Sequence, residues 1–339
     1  MSRITAKQAL DNCKGNDARH WSSNDQYSFK NRILLDDYFP VLHRPKFQID
    51  SSCKVYTVGS CFARNIENVL KHMGVDVVLS GTGLHPDQYA DWDDEKKTGG
   101  DTHIDKGLSP RCLNKYDTKT MLQEFRHVLT ENKMPNEGLI ELHSGQFFDP
   151  LVGSVLGLHA EEEALENRRK LNDDIKKIKE CNVTFITLGL TEGWVDIATG
   201  YSLNEHPGLR ELMRFQDKFC FENHSHQEVL TALEQIVAVI RKYANADMKF
   251  IITVSPVTLW MTFEEHDVVT SNTYSKAVLR AAAGELCEKN SDIDYFPSFE
   301  MVMNTPRNLA WSSDQHHVTS GMVAFVMNRF KQAYFTDPT

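Results

Sequence analysis

The sequence predicts an α/β protein whose mostly parallel sheet is flanked by helices on both faces. Short apolar runs rich in β-branched residues alternate along the chain with longer runs at helical spacing, which is typical of parallel strands joined by helical crossovers. No repeat or linker interrupts this alternation. We therefore expect a single α/β domain over residues 51–335, preceded by an irregular N-terminal arm over residues 1–50.

The first strand and the first helix of that domain meet at Gly59-Ser60-Cys61. An apolar run at residues 55–58 precedes the turn, and apolar residues recur behind it on one helical face, at Phe62, Ile66, Val69, Leu70 and Met73. Open α/β sheets bind ligands at the carboxyl ends of their strands, and helix N-termini favour the thiolate form of a cysteine. Cys61 is therefore a candidate reactive thiol; the alternative is a small hydrophobe packed in the core.

Four more strands and five helices are predicted along the rest of the domain. The strand predictions rest on β-branched runs at Val75–Leu79, Val183–Leu188, Phe250–Val254 and Ile293–Phe296. The helix predictions rest on periodicity or helix-forming composition at Thr118–Leu129, Ala160–Glu180, Gln227–Ala244, Thr273–Lys289 and Thr319–Tyr334. Residues 91–106 are predicted to form an exposed loop, and residues 139–158 are predicted to be irregular.

Composition excludes several classes of function. The 339 residues carry a formal net charge of −10 and 41% of them are hydrophobic, so we expect a sizeable core and no sequence-independent binding of nucleic acid, which needs clustered cations. No apolar stretch approaches the roughly 20 residues of a membrane-spanning helix, and residues 1–25 lack the apolar segment of a signal peptide. A cytoplasmic location is therefore expected.

The cysteines and histidines predict neither a disulfide framework nor a metal site. Seven cysteines are scattered without a Cys-x-x-Cys pair, so they are expected to be free thiols. The pairs His224/His226 and His316/His317 lack a third ligand at a recognisable spacing. The first turn also lacks the phosphate-loop pattern Gly-x-x-x-x-Gly-Lys. We expect no bound metal or cofactor.

Asp314-Gln315-His316-His317 stands directly before the last predicted helix. A carboxylate three residues before an imidazole can orient its ring, and the imidazole can then take a proton from a nucleophile. His317 is therefore a candidate general base and Asp314 its orienting partner. The alternative for a lone Asp-x-x-His is a capping or surface role.

A nucleophile turn after the first strand and a late Asp-x-x-His together resemble the SGNH (GDSL-like) hydrolases. More closely, the chain resembles the GSCFA family, which is named for the five residues that stand here at 59–63. The similarity spans roughly residues 45–332, and its further blocks lie at residues 187–194, 253–257, 272–276, 294–300 and 314–318. The resemblance implies a flavodoxin-like three-layer fold.

The SGNH pattern also implies roles for residues of this chain. Gly59-Ser60-Cys61 takes the place of Gly-Asp-Ser, which puts Cys61 at the nucleophile position. Ser60 stays a chemical alternative, although a thiol needs less activation than a hydroxyl. The turn after the second strand corresponds to the glycine whose N–H lines the oxyanion hole, and Gly81 and Gly83 are the candidates.

The third block departs from the SGNH pattern. The usual Gly-x-Asn-Asp is replaced by Gly189-Leu190-Thr191-Glu192. Thr191 offers a single hydroxyl donor where an asparagine would offer an amide, and Glu192 is an acceptor when ionised. The replacement puts the usual oxyanion hole in doubt and shifts part of its role to the backbone N–H of Cys61.

Five side chains near the predicted strand ends are candidates for substrate contacts. Glu192 and Trp194 would hold a polar substrate; otherwise Trp194 would be core and Glu192 an exposed helix start. Ser255, behind the fourth strand, would line the pocket. Asn272 would cap the next helix and leave Lys276 facing either an anion or water.

These inferences predict an acyl-ester hydrolase or O-acyltransferase centred on Cys61, His317 and Asp314. Saccharides or glycolipids are the expected substrates and acyl-coenzyme A a candidate co-substrate, as in surface-polysaccharide assembly. Two other classes stay open: a catalytically silent sugar- or nucleotide-binding protein, and a thiol redox sensor with Cys53 or Cys112 as its resolving thiol.

Overall fold

The computed structural model describes residues 3–50, 52–78 and 111–335. The strands in these ranges are β1 (Lys54–Gly59), β2 (Asp76–Val77), β3 (Ile140–His143), β4 (Gln146–Phe148), β5 (Val183–Leu188), β6 (Glu192–Asp196), β7 (Tyr201–Leu203), β8 (Phe219–Asn223), β9 (Lys249–Val254) and β10 (Ile293–Tyr295). The α-helices are α1 (Ala6–Lys14), α2 (Phe29–Leu35), α3 (Cys61–His72), α4 (Thr118–Leu129), α5 (Glu161–Lys176), α6 (Leu209–Arg214), α7 (His226–Tyr243), α8 (Val268–Lys289), α9 (Ser298–Asn304), α10 (Arg307–Ala310) and α11 (Ser320–Tyr334). Short 3-10 turns lie at Arg111–Leu113, Pro135–Gly138 and Lys177–Glu180.

The central sheet has the strand order β10-β9-β5-β1-β2, and all of its pairings are parallel. Gly59 at the end of β1 pairs with Thr187 of β5, which pairs in turn with Thr253 of β9. The carboxyl ends of these three strands therefore meet at one edge of the sheet. The predicted mostly parallel sheet is confirmed, and all five predicted strands take part in it.

Helices cover both faces of the central sheet, because side chains of a strand alternate between its two faces. Tyr56 and Ile186 belong to a core shared with α4, α5, α7 and α8. Val55 and Phe185 point to the other face and pack against α3, α9, α10 and α11. The result is the three-layer α/β arrangement that the sequence predicts. None of the described helices is both long enough and apolar enough to cross a membrane.

The N-terminal arm departs from the prediction that residues 1–50 are irregular, because it contains α1 and α2. A capping box between Thr5 and Gln8 starts α1, and the Ser28 side chain caps α2. Neither helix buries a residue, so the apolar periodicity that identified the other helices is missing here. The capping residues Thr5, Gln8 and Ser28 were the sequence signal for these two helices.

Two antiparallel sheets also depart from the prediction. The hairpin β3–β4 lies within residues 139–158, which were expected to be irregular, and β6 pairs with β7 and β8 in a second small sheet. Strands of three to five residues carry too little alternation to be recognised in the sequence. Since β6 begins only four residues after β5 ends, the second sheet adjoins the carboxyl edge of the central sheet.

Candidate active site

The turn between β1 and α3 depends on a glycine at position 59. Gly59 has a φ of +143°, and a Cβ on it would lie 2.2 Å from the carbonyl oxygen of Thr187. The Gly59 carbonyl accepts a hydrogen bond from the Lys115 N–H at 2.8 Å. A side chain at this position would push β1 away from β5, so the glycine allows Ser60 and Cys61 to stand directly at the strand end.

A buried carboxylate anchors the helix that begins at Cys61. Glu67 of α3 is fully buried and accepts hydrogen bonds from the Thr57 hydroxyl at 3.0 Å, the Arg64 guanidinium at 2.6 Å and the Lys71 ammonium at 2.6 Å. Arg64 also donates to the Thr57 carbonyl at 3.1 Å. Since Thr57 belongs to β1, these bonds fix the first turn of α3 against the strand that precedes it.

Ser60 and Cys61 occupy different positions at this junction. Ser60 is the N-cap residue of α3, but its side chain makes no capping hydrogen bond, and among the described residues its buried hydroxyl has no partner. Cys61 is the first residue of the helix and is partly exposed. The cysteine is therefore the more accessible of the two candidate nucleophiles.

Asp314 and His317 are joined in the loop before α11. The Asp314 carboxylate accepts from Nδ1 of His317 at 2.7 Å, and its other oxygen accepts from the backbone N–H groups of His316 and His317, both at 3.0 Å. Gln315 adopts a φ of +58° between them, which closes the turn. Because Nδ1 is engaged with Asp314, Nε2 is the ring nitrogen left for Cys61.

The pKa values of this pair are shifted in opposite directions. A side-chain hydrogen bond with Cys61 is the largest cause that raises the pKa of His317 to about 9; burial opposes it, and Asp314 adds to it. Burial would raise the pKa of Asp314, but the hydrogen bonds from His317 and from the two backbone N–H groups outweigh it and lower the pKa to about 2. At neutral pH the site therefore favours a protonated His317 ring beside the ionised Asp314 carboxylate.

His316 extends this site toward solvent. Its Nδ1 lies 2.8 Å from the Thr258 hydroxyl, and its ring packs edge-on against Trp260, whose side chain is 70% exposed. Burial, followed by the charge of His317, lowers the pKa of His316 to about 4. His316 is thus neutral at physiological pH, and its ring contacts both the exposed indole of Trp260 and the His317 ring.

The third block of the resemblance lies at the end of β5 but has different hydrogen bonds from those expected. The Thr191 hydroxyl donates to Asn223 at 2.7 Å, and its N–H donates to Ser275 at 3.0 Å. Both donors of Thr191 are thus engaged within the protein, which argues against a role as oxyanion donor. Gly189 lies against Tyr116, where a Cβ would be 2.6 Å from the Tyr116 carbonyl oxygen.

Glu192 and Trp194 lie on β6 rather than at a helix start. Glu192 is buried and accepts from the Thr262 hydroxyl at 2.6 Å and from the Phe263 N–H at 3.2 Å. Trp194 is partly buried in an aromatic cluster with Phe221 and Phe263. The expectation of an exposed glutamate is wrong, because its carboxylate fixes the loop that follows β9.

Ser255 and Lys276 lie near the carboxyl edge of the central sheet. Ser255 is fully buried behind β9, and its hydroxyl has no partner among the described residues. Asn272 lies inside α8, which starts earlier than predicted and is capped by Asp267, and it accepts from the Leu259 N–H at 3.0 Å. Among the described residues Lys276 forms no salt bridge; it is buried and donates to the carbonyls of Gly189 and Val257.

The sequence did not identify Trp260 as a candidate, and it predicted neither the contacts of His316 nor the burial of Lys276. Trp260 lies in a loop without periodicity, and the roles of His316 and Lys276 depend on packing across the chain. The sequence signal for Lys276 is its position in the block at residues 272–276, which the family resemblance includes. Gly81, Gly83 and the predicted loop at 91–106 lie outside the described residues.

The sequence also offered Cys53 or Cys112 as the resolving thiol of a redox sensor, and it predicted no metal site. Burial raises the pKa of Cys112 to about 12, which makes it a poor resolving thiol. Cys53 is partly exposed. Within the described ranges no group of three or more His, Cys, Asp or Glu side chains is arranged to hold a metal ion.

The protein is a three-layer α/β protein. A thiol, an imidazole and a carboxylate stand at the carboxyl edge of its central sheet. The chain belongs to the GSCFA family, whose sequence model matches residues 54–330, and this confirms the family resemblance. No protein with a curated description matches the sequence. Among solved structures, a family 3 carbohydrate esterase from Clostridium thermocellum is similar over 83% of this chain and 94% of its own, with 10% identity and a TM-score of 0.36.

Proposed function

We propose that the protein is an acyl-ester hydrolase or O-acyltransferase in which Cys61 is the nucleophile, His317 the general acid and base, and Asp314 the residue that orients it. The observation that carries this proposal is the hydrogen bond that joins His317 to Asp314, together with Cys61 as the largest cause of the raised pKa of His317. Such an arrangement is the signature of an activated nucleophile. Ser60 has no hydrogen bond to His317 among the described residues, which favours the cysteine.

In the proposed mechanism the Cys61 thiolate attacks the acyl carbonyl and forms a tetrahedral intermediate. The intermediate collapses to an acyl-thioester, and the His317 imidazolium gives its proton to the departing alkoxide or thiolate. The neutral ring then takes a proton from water or from an acceptor hydroxyl, which attacks the thioester and releases the thiolate. Asp314 keeps Nδ1 protonated throughout, so that Nε2 handles the moving proton.

Negative charge on the tetrahedral intermediate is stabilised by the first turn of α3. Backbone N–H groups in the first turn of a helix lack intrahelical acceptors, and the helix dipole favours an anion at that point. The N–H of Cys61 belongs to this turn. It takes on the role that the usual asparagine has in the SGNH pattern, because Thr191 is engaged with Asn223.

A saccharide or glycolipid is the proposed substrate, with acyl-coenzyme A as donor if the reaction is a transfer. Trp260 supports this choice, because its exposed ring packs against His316, whose ring in turn packs against His317. Aromatic faces pack well against the C–H faces of sugars. A binding protein without chemistry is the second candidate, and the missing asparagine of the third block favours it.

The proposal is tested with a panel of aryl esters, acetylated sugars, and acyl-coenzyme A mixed with sugar acceptors, followed by intact mass. Wild type should form an acyl adduct on Cys61. Cys61→Ala should form none, Ser60→Ala should still form it, and His317→Ala should slow formation and hydrolysis by about 10²–10⁴-fold.

Three outcomes would contradict the proposal. An adduct on Ser60 that survives Cys61→Ala would move the chemistry to the hydroxyl. Full activity in His317→Ala would remove His317 from the mechanism, and binding of sugars without any adduct across the panel would instead support the binding protein.

A further inference from the structure

Lys276 is a buried cation at the proposed site with no carboxylate beside it. It lies on α8, is 4% exposed, and its ammonium donates to the Gly189 carbonyl at 2.6 Å and to the Val257 carbonyl at 2.7 Å. Within residues 3–50, 52–78 and 111–335 it forms no salt bridge. Two of its three N–H donors are thus satisfied by neutral acceptors.

The register of the central sheet places the Gly189 carbonyl, which accepts from this ammonium, at the same edge of the sheet as Cys61. Gly59 of β1 pairs with Thr187 of β5, so Cys61 and Gly189 each stand two residues beyond the same pair. The ammonium that is bonded to the Gly189 carbonyl therefore lies next to the turn that carries the thiol. Consistent with this position, burial lowers the pKa of Lys276 to about 7, and Cys61 is the charged group that opposes this shift.

A buried ammonium is costly when no anion is near, because neutral carbonyls do not replace its counter-charge. An anion that forms at Cys61 would supply that charge. The same attraction acts in the other direction and favours the anion, because coupling between two sites is reciprocal. Cys61 then interacts with two separate cations, His317 from the loop before α11 and Lys276 from α8.

We propose that Lys276 is an electrostatic positioning residue of the nucleophile: its ammonium stabilises the Cys61 thiolate and holds the loops of Gly189 and Val257 at the turn. This inference rests on the proposed function, which assigns the nucleophile to Cys61. A lysine that serves only as a structural clamp between the two loops would leave the ionisation of the thiol unchanged.

The test is the pH dependence of Cys61 carbamidomethylation by iodoacetamide, followed by peptide mass spectrometry on the full chain. Lys276→Met should move the midpoint of alkylation upward by about one pH unit, so the rate below the midpoint falls about tenfold. Lys276→Arg keeps the charge and should retain a midpoint near that of wild type. Cys13, an exposed thiol in the arm, is the internal reference, and Lys54→Met on the surface of β1 is the matched control.

An unchanged midpoint in folded Lys276→Met would overturn the proposal, even if stability or activity fell. If that variant does not fold, the reciprocal measurement decides: in Cys61→Ala the titration of Lys276, followed by NMR of its Cε, should shift to lower pH than in wild type. An unshifted titration would overturn the proposal.

Alkylation needs no substrate, so the two proposals can fail separately. A shifted midpoint together with full esterase activity in Cys61→Ala would contradict the proposed function and support the coupling. Loss of activity in Cys61→Ala together with an unshifted midpoint in Lys276→Met would do the reverse.

Discussion

His317 is the residue on which the proposed chemistry depends. Its ring lies between Asp314 and Cys61, and both neighbours favour the protonated form. A thiolate paired with an imidazolium is reactive near neutral pH without a separate base. The imidazolium is also ready to protonate a leaving group, which is the first proton transfer that acyl transfer requires.

Asp314→Asn should lower the pKa of His317 from about 9, because the carboxylate that favours the imidazolium becomes a neutral amide. Cys61→Ala should lower it further, since the contact with Cys61 is the largest cause of the shift. Both changes are measured by NMR titration of the His317 Cε1–H. The titration of His127, a buried histidine paired with Glu137, should stay unchanged. A His317 midpoint that does not move in Asp314→Asn would contradict the assigned contact.

Single residues could be identified from the sequence where their signal was local. Cys61 follows from a strand, a turn and a helix in succession, and Asp314 with His317 follows from a spacing of three. Trp260 could not be identified in this way, and the burial of the candidate Lys276 could not be predicted, because both depend on loops and helices that pack from distant parts of the chain. The catalytic roles of Cys61, Asp314 and His317 stay predictions.

The element that fixes the site is the close pair of β1 and β5. Buried parallel strands form long β-branched runs, so these strands and their partners could be predicted from the sequence. The short strands β6, β7 and β8 could not. Their side chains matter nevertheless, because Asn223 and Glu192 engage Thr191 and the loop after β9.

Gly59→Ala should destabilise the protein by more than about 3 kcal/mol or prevent folding, because the new Cβ would collide with the Thr187 carbonyl at a φ that only glycine tolerates well. Gly200→Ala is the matched control: Gly200 has a φ of +71°, but no described residue lies within 4 Å of the added Cβ. The control should lose only about 1–2 kcal/mol. Urea unfolding measures both variants, and equal losses would show that the close approach of β1 and β5 is unimportant.

At the scale of the whole molecule, one carboxylate ties the N-terminal arm to the end of the chain. Asp294 of β10 accepts from the Tyr334 hydroxyl at 2.8 Å, from the Lys46 N–H at 3.1 Å, and lies 3.2 Å from Nε2 of His43. The Ile49 N–H donates to the Tyr334 carbonyl at 2.8 Å. These contacts join segments nearly 300 residues apart, and no local sequence pattern predicts them. The division between an arm at 1–50 and a domain at 51–335 stays a prediction.

Asp294→Asn should lower the free energy of unfolding by about 2 kcal/mol at pH 7, because hydrogen bonds to a buried charged acceptor are replaced by bonds to a neutral amide. Burial would raise the pKa of Asp294, but its bonds with His43, Tyr334 and the Lys46 N–H lower it. A carboxyl whose folded pKa is depressed stabilises the fold above its unfolded pKa and loses that effect as the pH falls through the folded pKa. The difference in unfolding free energy between wild type and variant should therefore be full at pH 7 and shrink below about pH 4.

Urea unfolding at pH 7, 4.5 and 3.5 measures this difference, with Asp217→Asn as an exposed control. A difference that persists unchanged at the lowest pH would assign the effect to shape rather than charge.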